Sequence, residues 1–159
     1  MATVCERITA LREKMKENGI TVYVIPSTDC HESEYVCPHY RARAYMTGFT
    51  GSAGTAVITM DKAGLWTDGR YFLQAEDQLR GTGIHLFRMG ELGVPTVEEY
   101  VKEEIRSGGC VGFDGKTMGA VSADKFRESA MEKGGSIYTE KDLVGEIWPE
   151  RPQIPDEKV

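Results

Sequence analysis

The order of elements readable in this sequence predicts an α/β fold: a three-layer domain with a mixed sheet of five or six strands flanked by helices. Two observations carry the prediction. Short β-branched runs alternate with stretches of helical periodicity from end to end, the pattern of helices covering both faces of one sheet. Two apolar runs flanking Asp61-Lys62-Ala63-Gly64 within "GTAVITMDKAGLWTD" read as a β-hairpin, and a hairpin forces at least one antiparallel pair into the sheet. The length of 159 residues suits one domain with a core of its own.

Val4, Ile8, Leu11 and Met15 line one face of a first helix, stopped by Asn18-Gly19. "ITVYVIP" (20–26) is a buried strand ended by proline, and "RARAYMTGF" (41–49) a short helix ending at Gly48. The hairpin turns at Asp61-Lys62-Ala63-Gly64, where Gly64 is expected to supply a positive φ. Asp68 is placed to cap a helix whose Phe72, Ala75 and Leu79 share a face. "GIHLFRM" (83–89) reads as a strand. Thr96 and Glu99 have capping-box spacing at the start of a helix running toward Gly108-Gly109. "CVGFD" (110–114) is a strand, Ser122 the expected cap of a helix presenting Phe126 and Ala130, and "SIYT" (136–139) a last strand. From about residue 146 the periodicity stops and Pro149, Pro152 and Pro155 follow, which reads as a domain over 1–145 and the start of a linker over 146–159.

Composition excludes several partners. A net charge of −6 argues against nucleic acid, which requires a basic face. No apolar run is long enough to span a membrane, and the charged, amphipathic N-terminus is unlike a signal peptide. Four irregularly spaced cysteines read as reduced thiols of a cytoplasmic protein.

Three stretches invite chemical readings. "CHESEYVCPHY" (30–40) gathers Cys30, His31, Glu32, Glu34, Cys37 and His39. Six residues separate the cysteines and seven the histidines, wider than zinc-ligand pairs, and no second pair follows. "GFTGSAG" (48–54) has neither the Lys-Ser/Thr pair nor the following helix of a phosphate-binding loop. It runs into a strand, so Ser52 is no nucleophile elbow either. It remains either a tight turn or a loop approaching a ligand or neighbouring domain, with Gly51 and Gly54 permitting close approach. "LWTDGRY" (65–71) places Trp66 and Arg70, residue types favoured at interfaces, beside a capped helix start.

Residues 24–76, through "PSTDCHESEY", "TGFTGSAGTAVI" and "WTDGRYFLQA", resemble the N-terminal domain of the Xaa-Pro aminopeptidases (aminopeptidase P), in the creatinase/prolidase group of metallopeptidases; the tail "LVGEIWPERPQIP" (143–155) fits as well. The resemblance implies a creatinase-N domain of ribonuclease H-like fold that is itself non-catalytic. It implies a parent hydrolase removing the residue before an N-terminal proline, with two divalent metals, commonly manganese, in a pita-bread domain absent from these residues. It implies no catalytic and no metal-ligating residue here. As partners it implies the remaining domains of the parent, a peptide with proline second, and a second copy in a homodimer. The positions expected at the substrate cleft or domain interface are His31, Glu34, Phe49, Thr50, Gly51, Ser52, Trp66 and Arg70. His31 and Glu34 belong to "D-x-H-x-S-E-Y" and are expected to order a loop or meet a neighbouring domain. A free-standing recognition or dimerisation module, and the same domain from a Xaa-Pro dipeptidase or creatinase-like hydrolase, are the alternatives.

Overall fold

The computed structural model describes residues 3–26, 41–51, 53–105, 108–116, 118–149 and 151–152. Its six strands form one mixed sheet in the order β4-β3-β2-β1-β5-β6. They are β1 (Val22–Ile25), β2 (Thr55–Thr59), β3 (Ala63–Thr67), β4 (His85–Arg88), β5 (Cys110–Gly112) and β6 (Ser136–Tyr138). β1, β2 and β3 pair antiparallel in succession, while β3–β4, β1–β5 and β5–β6 pair parallel.

Strand alternation sorts side chains into two cores. Tyr23, Ile25, Ala56, Ile58 and Leu65 meet one set of helices: α1 (Val4–Glu17), α2 (Ala42–Thr47), α3 (Phe72–Gln78) and α6 (Leu143–Ile147). Val22, Val24, Val57, Trp66 and Val111 face the other set, α4 (Val97–Glu104) and α5 (Ala120–Glu132). The helix faces are those the spacing predicts: Ile8, Leu11 and Met15 on α1, Phe126 and Ala130 on α5. Gly48 ends α2 at φ 77°, a left-handed conformation that costs glycine little. Thr96 Oγ1 accepts from Glu99 N–H, as its capping-box position requires.

Four local expectations are corrected: α4 ends at Glu104 rather than running to Gly108-Gly109, Asp68 caps a 3-10 turn (Gly69–Tyr71) ahead of α3 rather than α3 itself, and Gly64 and Ser122 play other parts than expected. Gly64 is inside β3, and its φ is not positive. The hairpin closes instead through Thr59, whose hydroxyl accepts from Lys62 N–H at 2.8 Å. Glycine is needed at 64 for space: a Cβ would lie 2.6 Å from Phe87, whose ring stacks on Trp66 at 4.0 Å. Ser122 does not cap α5, which begins after Gly119. Met118 and Ala123 both pack on the second core, at N′ and N4 of the helix, and this apolar staple pulls the start one turn earlier.

α6, absent from the sequence-based element order, closes the first core with Leu143 and Val144. The chain beyond it stays attached. Trp148 stacks on Tyr45 at 4.4 Å, Arg7 lies over the other face of that stack, 4.1 Å from the Tyr45 ring centre, and Arg151 pairs with Asp142. Leu143 N–H donates to the hydroxyl of Tyr23, 120 residues earlier.

Burial, and to a lesser extent the nearby Asp142 carboxylate, raises the Tyr23 phenol well above its ordinary value. The folded protein therefore holds this proton more tightly than the unfolded chain. The associated stability is complete below pH 10 and is lost as pH rises beyond it. Tyr23→Phe should cost about 1–3 kcal/mol at neutral pH, because Leu143 N–H loses its partner. It should also flatten the fall in stability above pH 10; urea titrations at neutral and alkaline pH measure both effects.

Candidate functional site

The turn at 48–54 is built by its surroundings. α2 ends at Gly48, and Phe49 turns inward to full burial, its N–H donating to Thr47 Oγ1 at 3.1 Å. The Phe49 ring meets Tyr71 edge-on at 6.0 Å. Thr50 emerges at the surface, held by two amides of α3: its N–H donates to Gln78 Oε1 at 2.9 Å, and its hydroxyl accepts from Gln78 Nε2 at 2.9 Å and Gln74 Nε2 at 3.1 Å. Beyond it, the Ala53 carbonyl accepts from Thr67 Oγ1 at 2.7 Å, tying the loop to the end of β3.

Gly51 and Gly54 are required for space rather than for unusual φ. A Cβ on Gly51 would sit 2.3 Å from Phe49 Cζ and 2.9 Å from Tyr71 Cδ1; one on Gly54 would sit 2.8 Å from the Trp66 carbonyl oxygen. The close approach these glycines permit is therefore, in the first instance, to the domain's own aromatic and β3 atoms.

Beneath the loop is a residue that sequence reasoning missed. Arg43 on α2 is only 7% exposed, donates through Nη2 to the Gly51 carbonyl and holds its guanidinium 5.0 Å from the Phe49 ring centre. Burial pushes its pKa down to about 10. The available signal was its place on the inward face of a six-residue helix, three residues before Met46.

The other expected positions separate. Trp66 is fully buried on the opposite side of the sheet, stacked on Phe87, with Nε1 donating to the Pro95 carbonyl at 2.9 Å. Arg70 is exposed at the start of α3. Asp68 caps the short 3-10 turn Gly69–Tyr71 by accepting from Arg70 N–H, and grips the Arg70 side chain through both carboxylate oxygens at 2.8 and 3.0 Å. That grip holds the Asp68 carboxyl below its usual range. His31, Glu34 and Ser52 lie outside the described residues, as do Cys30 and Cys37. Thr50 thus lies on the exposed face of α3 at Gln74 and Gln78, with Phe49 and Gly51 buried beneath the loop, and Arg70 is exposed in the 3-10 turn that precedes the helix.

Among the described residues, no three of the side chains that hold metals come together, so the residues described do not fit a dinuclear metal centre. Cys5 and Cys110 are free thiols, and no helix there is long and apolar enough to cross a membrane.

Comparison with known proteins matches this architecture. Residues 7–139 match the family described as Creatinase/Prolidase N-terminal domain. The chain is 44% identical over 161 residues to Aminopeptidase P2 of Arabidopsis thaliana, an alignment covering 98% of this chain and 22% of that protein. The X-prolyl aminopeptidase of Caenorhabditis elegans, described as a cytosolic enzyme with a di-nuclear active site, superimposes with a TM-score of 0.89 at 30% identity, over 98% of this chain and 27% of that one. The N-terminal domain of the cytoplasmic peptidase PepQ from Mycobacterium tuberculosis shares the fold, with a TM-score of 0.63 at 22% identity, over 89% of this chain and 97% of that one. This chain belongs to the creatinase/prolidase N-terminal domain family. It spans about a quarter of the length of the curated relatives it matches.

Gly51→Ala should destabilise the domain by about 1–3 kcal/mol, since its methyl group must displace Phe49 or Tyr71. Thr50→Val, which removes only exposed amide contacts, should change stability by less than about 1 kcal/mol. Paired thermal melts distinguish the two.

Proposed function

We propose that this chain serves as the non-catalytic N-terminal domain of a Xaa-Pro aminopeptidase, where it shapes the substrate cleft and supports assembly. The single observation that carries the reading is end-to-end similarity: 98% of this chain matches a quarter or less of an aminopeptidase P at 44% identity. The larger protein then removes the first residue from peptides with proline second. Two divalent metals, manganese in the simplest case, are held by its other domain and supply an activated water and a polarised carbonyl there. The present domain contributes a surface. Thr50 is presented by a loop held at Thr50 by Gln78 and at Ala53 by Thr67, and Arg70 is oriented by Asp68 just before α3. Ser52, His31 and Glu34 belong to the same reading as contacts to the cleft or to the neighbouring domain, and a cytoplasmic homodimer completes it.

The test is hydrolysis of Arg-Pro-Pro by the full-length protein. Release of free arginine, abolished by a chelator and restored by Mn²⁺, is the expected result. Residues 1–159 alone should release none and retain no stoichiometric metal. Failure to cleave Arg-Pro-Pro, with hydrolysis of an Ala-Pro dipeptide instead, would replace the reading with a dipeptidase.

A further inference from the structure

Arg43 poses an energetic problem. Its guanidinium is a cation inside the domain, and among the described residues Nε and Nη1 have no hydrogen-bond partner. A buried charge without a counter-ion is costly, and a methionine or leucine in the same volume would pack at lower free energy. Its charged head meets three things. Nη2 donates to the Gly51 carbonyl; one face covers the Phe49 ring; and Nη1 lies so close to Gly54 that a Cβ there would be 2.9 Å away. All three belong to the 48–54 loop. The backbone of Arg43 joins the same unit, since its carbonyl accepts from Thr47 Oγ1 at 2.8 Å, and that hydroxyl in turn accepts from Phe49 N–H.

The planar fork explains the choice of residue. Arginine can lie along a ring face and donate in its own plane at once, whereas a lysine ammonium is a point charge that can do only one of these well. The amide contacts at Thr50 fix the loop from the solvent side, and Thr67 fixes it at Ala53. Arg43 is the contact from beneath, at the residue between them.

We infer that Arg43 is a positioning residue for peptide binding: it holds the 48–54 loop from below, through Gly51 and Phe49, in the conformation that presents Thr50 to the substrate cleft. The inference rests on the proposed aminopeptidase reading for its functional half, and on the loop geometry alone for its structural half. Misplacing such a loop by an ångström weakens the contacts made through it, although Arg43 itself touches no substrate.

The experiment uses the full-length protein with Arg43→Met, which keeps the stem and removes the charge, and Arg43→Lys, a milder change in case the first fails to fold. Hydrogen exchange is followed in peptides covering 48–54 and in peptides from β1 and β5, alongside hydrolysis of Arg-Pro-Pro. Exchange in 48–54 should accelerate about tenfold or more while β1 and β5 are unchanged. KM should rise about tenfold with kcat within about threefold of wild type. Unchanged exchange in 48–54 overturns the inference, as does acceleration spread equally over β1 and β5, which marks a general packing role. A loosened loop with unchanged KM and kcat overturns it too. Should the wild-type protein not cleave Arg-Pro-Pro at all, the aminopeptidase reading fails by itself, and the exchange comparison still decides what Arg43 does to the loop.

Discussion

Everything in this domain depends on β1 being buried on both faces. Val22, Tyr23, Val24 and Ile25 are each at most 3% exposed. Alternate side chains must therefore enter different cores, and each core needs its own helices. Val22 and Val24 require α4 and α5; Tyr23 and Ile25 require α1, α2 and α6. Each edge of β1 needs a backbone partner, and they differ in kind: β2 runs antiparallel and β5 parallel. The antiparallel partner returns directly from the 48–54 turn, so the placement of that turn is tied to the register of the central strand.

The turn is thus a product of the core. Phe49 is a core side chain, Gly51 and Gly54 are shaped by what lies under them, and Thr50 is the part that reaches solvent. A loop anchored by a buried guanidinium, by two glutamine amides and by a threonine from β3 is suited to holding a contact surface still. The end of the domain follows the same logic. Trp148 stacks on Tyr45 and Arg151 pairs with Asp142, so both residues are held against the domain beyond α6.

Elements whose signals are local were legible. The spacing of Ile8, Leu11 and Met15, the Thr96–Glu99 box and the stop at Gly48 each report a constraint satisfied within one turn of helix. Where a partner distant in the chain decides, the reading went astray. Gly64 looked like a turn glycine because it follows Asp61 and Lys62, but Phe87 is what requires it. Ser122 looked like a cap, but the second core, built from strands far away in the chain, takes up Met118 and Ala123 and so sets the start of α5. Five-residue α6 has no periodicity to show and exists because Leu143 and Val144 close a core made by distant residues from α1, α2, β1, β2, β3 and α3. Trp66 carries the residue type of an interface and the environment of a core, and only the stack with Phe87 and Tyr100 shows which applies.

The sequence by itself determined the class of fold, the mixed sheet, some helix boundaries and, through its three motifs, the family. These follow from periodicity and from residue types at fixed spacing, which act over short distances along the chain. Only the tertiary structure decided the strand order, which helices cover which face of the sheet and the burial of Arg43 under its loop. Each of those depends on which distant surfaces remove one another from water, and an arginine reads the same in sequence whether its charge meets solvent or a carbonyl inside the protein.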